Sequence, residues 1–469
     1  MMTARPDHAA IDALKLAAGD RGWSDDAAEL EPHLTDWRGL YKGATPVLLK
    51  PADTAAVARI VETASRHRVG LIPQGGNTGL VGGGIPPADD SVVMVSLRRM
   101  NRIRAVDPTG LTMTVEAGVV LEDAHAAARA VGCVLPLSLA AKGSATIGGL
   151  VSTNAGGVQV LRHGTMRALV LGLEAVLPDG SVLGQLSGLV KDNSGYDIKQ
   201  LLIGGEGTLG IVTAAVLRLV PAPVEVTVAF VGLASPHAAL ALLARLRRGA
   251  AGAVESFELM PRSGIELACV LIAGNRDPLA TPHPWYVLAE LHVAADLVET
   301  LLGEAAEAGE IDDATVAASA AQAAALWRLR ETLPEAERID GGSLKHDISI
   351  PVAAMPDYIA STTAVIEREW PGARVLAFGH LGDGNVHYNV RAPLGIAPRD
   401  WAASSGAAIT GRINDLVVAA GGSISAEHGI GTAKRSELQR LGNPAKLAAM
   451  RAIKAALDPL GIMNPGKLV

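Results

Sequence analysis

Apolar residues recur along this chain in two different periods, and the places where the period changes mark its elements. After Pro51, the residues Val57, Ile60, Val61 and Ala64 follow helical spacing, with Asp53 or Thr54 placed to cap the start and Gly70 to end the helix. Val69 to Ile72 then read as a strand that runs straight into PQGGNTGLVGGGIP. Strand-like runs follow at Val92 to Leu97, Thr112 to Glu116 and Ala168 to Leu177, the last closed by an Asp179-Gly180 turn beside Val182 and Leu183. A helix from Leu121 to Val131 interrupts them. Strands and helices without regular alternation indicate an α+β domain ending near Pro221 or Pro223.

From Val224 the texture changes. Strands at Glu225 to Val231, Tyr286 to His292 and Lys345 to Ile350, with helices at His237 to Arg248 and Ala295 to Ala308, predict a second α+β domain, an antiparallel sheet covered by helices on one face. The tail returns to helices, about Ala402 to Ala420 and Ala445 to Leu457, before NPGKLV. The expected boundaries are 1–223 (core about 42–221), 224–420 and 421–469.

Composition narrows the function classes. The 469 residues are 49% hydrophobic and 19% charged, enough for substantial cores, and the net charge of -7 gives no basic footprint for a nucleic-acid backbone. Nucleic acid is not an expected partner. The first residues, MMTARPDHAAIDALK, hold no apolar core of signal-peptide length, and the long uncharged stretch from Gly143 to Leu161 is filled with Gly, Ser, Thr and Asn. Neither an export signal nor a membrane span is expected. Two cysteines, Cys133 and Cys269, make no disulfide framework and fit a reducing cytoplasm.

Glycine is the unusual number: 52 residues, about 11% against a usual ~7%. The match to GxGxxG, Gly205 to Gly210, is a decoy, because β-branched IVTAAVLRL follows where a dinucleotide turn needs a helix. A tight turn between a helix and a strand explains it. The run Gly75, Gly76, Gly79, Gly82, Gly83 and Gly84 is different, since so many residues without Cβ let backbone N–H groups converge on an anion such as a pyrophosphate. Asn77 and Thr78 add side-chain hydrogen bonds, and the loop lacks the Gly-Lys-Ser/Thr of a nucleotide-hydrolysing P-loop. A second loop, Pro136 to Gly157, carries Ser144, Thr146, Ser152 and Asn154, neutral groups suited to a large polar heterocycle.

PQGGNTGL, then GSATIGGLVSTNAGG with RHGTMRALVLGLEAVLPDG, then KDNSGYDIKQLLIGGEGTLGIVT, in this order, resemble the FAD-binding oxidases and dehydrogenases of the vanillyl-alcohol oxidase and p-cresol methylhydroxylase superfamily. The resemblance covers nearly the whole chain and implies a two-part FAD-binding domain, an antiparallel-sheet substrate (cap) domain and a C-terminal helical segment closing on the FAD domain. It implies that Pro73, Gly75, Gly76, Asn77, Thr78, Gly79 and Leu80 hold the FAD pyrophosphate. Pro136, Ser138, Gly143, Ser144, Thr146, Gly148, Gly149, Ser152, Asn154 and Gly157 would line the flavin. Gly204, Glu206, Gly207, Ile211 and Val212 would meet the adenosine side, with Asn464 of NPGKLV a further cofactor contact. Many relatives attach FAD covalently through a histidine in the first loop; Asn77 stands there in this chain, which implies non-covalent FAD.

His380 and His387 flank an Asp-Gly turn in FGHLGDGNVHYNV, so a hairpin would set them across from each other on adjacent strands. Spacing alone favours a plain hydrogen-bonded hairpin pair over a metal pair. SAEHGIG adds Glu427 and His428, and two histidines with a glutamate suit a divalent ion, commonly zinc, that keeps an open position. His428 remains as a candidate base.

GHLGDGNVHYN and SAEHGIGTAKR resemble the C-terminal signatures of the D-2-hydroxyacid dehydrogenase branch, which includes enzymes of D-2-hydroxyglutarate, D-lactate and glycolate. By that resemblance His380, His387 and Glu427 bind metal and His428 abstracts the hydroxyl proton. Arg330 and Lys345 hold substrate carboxylate, and Asn389 is a further substrate contact. The chemistry agrees: a 2-hydroxyacid chelates one metal through carboxylate and hydroxyl, and Arg330 can grip a carboxylate bidentately. One departure concerns the distal carboxylate, where the 2-hydroxyglutarate pattern has threonine and this chain has Pro334, with Thr332 or Ser343 as substitutes.

D-2-hydroxyglutarate ranks first as substrate, with D-lactate or glycolate as alternatives. A non-catalytic FAD-binding subunit and a metal hydrolase are competing readings; the His380, His387, Glu427 and His428 set argues against the first, and the two flavin loops argue against the second. The electrons would pass to a separate acceptor, an electron-transfer flavoprotein, a quinone or another carrier, for which no motif stands in the sequence, and a homodimer is the default assembly.

Overall fold

The computed structural model describes residues 5–469. It divides into two compact units. The first holds the described residues up to Gly157, then His163–Ala222 and Glu427–Val469; the second holds Val158–Arg162 and Pro223–Ala426. Val158–Arg162 thus leaves the domain that the sequence boundaries gave it. The reason is a set of contacts with the strand Val254–Pro261: Ser256 donates to the Val158 carbonyl at 2.8 Å, and Gln159 and Arg162 reach the buried Glu255 carboxylate at 2.8 and 3.1 Å.

The first unit contains two main sheets. One runs Trp23–Ser24, Leu48–Leu49, Val92–Ser96, Gly70–Gln74; the other is antiparallel and runs Ile103–Asp107, Thr112–Glu116, Ile211–Arg218, Val170–Val176, Val182–Gln185. The helix Thr54–His67 buries Val57, Ile60, Val61 and Ala64 in a core that includes Leu71 and Val93 of one sheet and Val176 and Ile211 of the other. Each larger side chain buried this way stabilises by about 1.5–3 kcal/mol. Asp53 caps the start by accepting from Ala56 N. The helix ends at Arg68, in the left-handed conformation at φ 56°, and not at Gly70, which is already paired with Val92. Met166–Leu169 is helical, so the predicted Ala168 to Leu177 strand begins only at Val170.

The second unit is built on a seven-stranded antiparallel sheet in the order Asp313–Val316, Thr227–Leu233, Trp285–Leu291, Val254–Pro261, Arg374–His380, Asn385–Arg391, Leu344–Ser349. All residues of Thr227–Leu233 are buried, whichever face they point to, so helices cover both faces and not one. On one face, Phe230, Tyr286, Met260, Leu376 and Phe378 pack with Ile265, Leu326, Leu329 and Leu333 of three helices. On the other, Tyr388 and His346 bond Thr363 and Thr410 of the helices Met355–Glu369 and Pro398–Ala419.

Candidate active site

Strand alternation in the second unit collects the chemistry on one face. Register pairs Glu258 with His380, Phe378 with His387, Leu376 with Asn389, Lys345 with Asn389 and Asp347 with His387, so Glu258, His380, His387, Asn389, Lys345 and Asp347 all share the face that carries Phe378. His380 and His387 therefore sit diagonally, not directly across as the hairpin reading expected. The turn spans four residues, with the Asp383 and Gly384 N–H groups both donating to the His380 carbonyl. The two rings still meet edge to face, with centroids 5.6 Å apart.

Two glutamates invisible to the sequence reading organise this face. Glu258 is fully buried; its Oε1 lies 2.5 Å from His380 Nδ1, and its Oε2 accepts from Arg330 Nε at 2.7 Å. Burial pushes the carboxyl up, but His380 and Arg330 outweigh it and hold it down to about 2. Arg330 comes from the last turn of the helix Ala320–Glu331 and lies over the Phe378 ring at 5.0 Å. Glu337, also fully buried, accepts from Asn389 Nδ2 at 3.0 Å and pairs with Lys345 Nζ at 3.3 Å. Each predicted substrate cation thus has a buried carboxylate behind it. Two acidic residues, Glu255 and Glu258, in the apolar run VESFELMP were the sequence signal for Glu258; Glu337 had none in a charged helix.

Pro334 lies in the first turn of the helix Leu333–Ile339, where its missing N–H costs nothing. Thr332 does not substitute for the threonine of the pattern, because its hydroxyl donates to the Arg328 carbonyl and accepts from Asn275. Ser343 is different: its hydroxyl is buried without a hydrogen-bond partner, two residues before Lys345 on the same strand direction.

The segment after the helix Pro398–Ala419 returns to this sheet, where Ser423 bridges Ser349 and Ala426 N donates to the Asp347 carbonyl at 3.4 Å. Glu427 follows directly. His380 and His387 stand together on this face of the second unit, and Glu427 and His428 open the last segment of the first. Two imidazoles brought this close suit a divalent ion of zinc type.

In the first unit, the two glycine-rich loops press together. A Cβ on Gly75 would fall 2.1 Å from Thr146 Oγ1, and one on Gly76 2.0 Å from the Ser144 carbonyl. The second loop is not loop throughout: Ile147–Thr153 is a helix whose Gly148 lies so close to Ala117 that a Cβ would meet its methyl at 2.6 Å. Several predicted cofactor residues are committed within the protein. Asn77 donates to the Pro32 and Thr35 carbonyls, Ser152 to the Gly148 carbonyl, and Asn154 accepts from Arg167 N. Ile211 and Val212 are core side chains. Glu206, whose carboxyl burial pushes up, accepts from Ile430 and Gly431 N–H at 2.7 Å each, and Asn464 donates to the Gly83 and Glu206 carbonyls. As the sequence indicated, a helix, Lys199–Leu202, precedes Gly205 to Gly210 and the strand Ile211–Arg218 follows.

What fits a nucleotide cofactor is the remainder. Thr146 Oγ1 is buried without a partner, Gly79 faces open space, and a cleft of about 300 Å³ is lined by Gln74, Gly75, Gly76, Asn77 and Arg98 among others. Residues 222–468 match the family described as FAD linked oxidases, C-terminal domain, and residues 45–184 match that described as FAD binding domain. The chain belongs to the FAD-linked oxidase family. D-2-hydroxyglutarate dehydrogenase of Xanthomonas citri pv. viticola is 38% identical to this family member, covering 98% of the chain and 95% of the relative. The mitochondrial D-2-hydroxyglutarate dehydrogenase of Arabidopsis thaliana is 36% identical, covering 98% of the chain and 81% of the relative. Among solved structures, p-cresol methylhydroxylase with substrate bound superposes with a TM-score of 0.76 at 16% identity, over 98% of this chain and 96% of that one, which shows a shared fold. This FAD-linked oxidase is an FAD-dependent oxidoreductase, and no helix of its described residues is long and apolar enough to cross a membrane.

Proposed function

We propose that the protein is a dehydrogenase of D-2-hydroxyacids, D-2-hydroxyglutarate foremost, with non-covalent FAD and a divalent ion, zinc first, held by His380, His387 and Glu427. The observation that carries this reading is the shared sheet face, which gathers two metal-competent histidines and three carboxylate-binding side chains, Arg330 among them from the packed helix. The relatives named for D-2-hydroxyglutarate support the substrate.

Arg330 has its Nε committed to Glu258, which leaves both terminal nitrogens to grip a carboxylate side by side. Lys345 adds a partly exposed point charge, and Asn389, steadied by Glu337, adds a polar contact. Ser343 offers its unpartnered hydroxyl toward the distal carboxylate, in the role Pro334 cannot fill. His428 takes the proton of the substrate hydroxyl. When bound, FAD supplies the acceptor for the substrate α-hydrogen, and the divalent ion supplies Lewis acidity.

Chelation tests this assignment. Removal of metal abolishes most turnover while FAD stays bound, and His428→Ala abolishes it with metal and FAD both in place. Full turnover in thoroughly metal-free protein would refute the metal role, and near-wild-type rates in His428→Ala would refute the base. Acid precipitation tests the cofactor linkage: a colourless pellet is expected from Asn77, and a yellow one contradicts it.

A further inference from the structure

Resting on the metal reading above, we infer that Glu258 is a positioning residue that couples the metal ligand His380 to the substrate clamp Arg330. The sheet itself sets Glu258 opposite His380, on the strand Val254–Pro261 whose other neighbour is Trp285–Leu291. A carboxylate has no N–H or O–H to give, so the hydrogen in the 2.5 Å contact with His380 Nδ1 belongs to the imidazole. Nδ1 is therefore the protonated nitrogen. Nε2 is then the nitrogen that can turn a lone pair to a metal ion.

The second carboxylate oxygen fixes the other partner. It accepts from Arg330 Nε at 2.7 Å, which fixes the guanidinium through its Nε and leaves the edge formed by its two terminal nitrogens for a carboxylate. Phe378, beneath the guanidinium at 5.0 Å, holds its plane. One buried side chain thereby sets the tautomer of a metal ligand and the plane of the carboxylate grip. A purely structural ion pair would not require that the imidazole be part of it, and a fully buried carboxylate shared by two such groups is costly to keep without that use.

The test uses the whole protein with FAD bound and zinc as the probe, titrated against a chromogenic chelator. Glu258→Gln keeps the side-chain volume but offers the imidazole a weaker, uncharged partner; zinc affinity is expected to fall 10- to 100-fold, with KM rising alongside through Arg330. Arg330→Met, which leaves Glu258 on His380, is expected to raise KM while zinc affinity stays within about threefold of wild type. Zinc affinity of Glu258→Gln within twofold of wild type would overturn the inference and leave the metal reading standing. Wild-type protein that binds no zinc would overturn both. Should Glu258→Gln fail to fold, the zinc-loaded wild-type crystal structure decides: zinc on His380 Nε2 with Nδ1 still on Glu258 supports the inference, and zinc on Nδ1 overturns it.

Discussion

Lys345 reaches Glu337 at 3.3 Å, and the same Glu337 oxygen takes the Asn389 amide, so the two proposed substrate contacts share one fully buried carboxylate. Glu337→Ala leaves the buried Asn389 donor without its partner, which costs about 1–3 kcal/mol. It also frees Lys345 to wander. The expected outcome is a lower melting temperature together with a KM raised at least tenfold, measured by calorimetry and steady-state kinetics; an unchanged KM would show that Lys345 and Asn389 do not need this anchor.

The glycines of the first loop separate into two kinds. A methyl on Gly76 would collide with the Ser144 carbonyl, whereas one on Gly79 would meet nothing within 4 Å. Gly76→Ala is expected to destabilise the apoprotein by roughly 1–3 kcal/mol or more, as overpacking against backbone does. Gly79→Ala leaves the apoprotein melting temperature unchanged and weakens FAD retention, because the open space there is the space the nucleotide would use. Calorimetry of the apoprotein reads the first effect, and flavin absorbance after gel filtration reads the second.

Much of this was legible in the sequence, for identifiable reasons. Helical spacing at Val57, Ile60, Val61 and Ala64 located a helix, and strand-like IVTAAVLRL exposed Gly205 to Gly210 as a turn. Both signals are local. The diagonal offset of His380 and His387 depends on how many residues the turn holds, and the helices on both faces depend on contacts far apart in the chain. Glu258 and Glu337 escaped for the same reason: a buried carboxylate is recognised by its partners, which lie 122 and 72 residues away for Glu258 and 52 for the Asn389 contact of Glu337.

Lys467 gives a pH signature. Its ammonium donates to the Ile85 carbonyl at 2.8 Å and to Thr432 Oγ1 at 2.6 Å, and burial pushes it from 10.5 down to about 8. Below pH 8 both folded and unfolded chains carry the proton. Between about pH 8 and 10.5 the unfolded chain binds more protons than the folded one, so stability rises with pH there. Relative to Lys467→Met, wild-type protein should gain up to about 3 kcal/mol across that window in denaturant titrations. A difference that stays flat from pH 7 to 10.5 would contradict the assignment.

The central claim is that the gathered face of the second unit serves oxidation of a D-2-hydroxyacid by bound FAD. Anaerobic mixing of the purified, zinc-loaded protein with D- and L-2-hydroxyacids, followed at the flavin absorption band, tests it most directly. Bleaching by D-2-hydroxyglutarate, slower bleaching by D-lactate or glycolate, and none by the L-enantiomers is the predicted result; a flavin that stays oxidised with every D-2-hydroxyacid, or that only an L-2-hydroxyacid reduces, would contradict it.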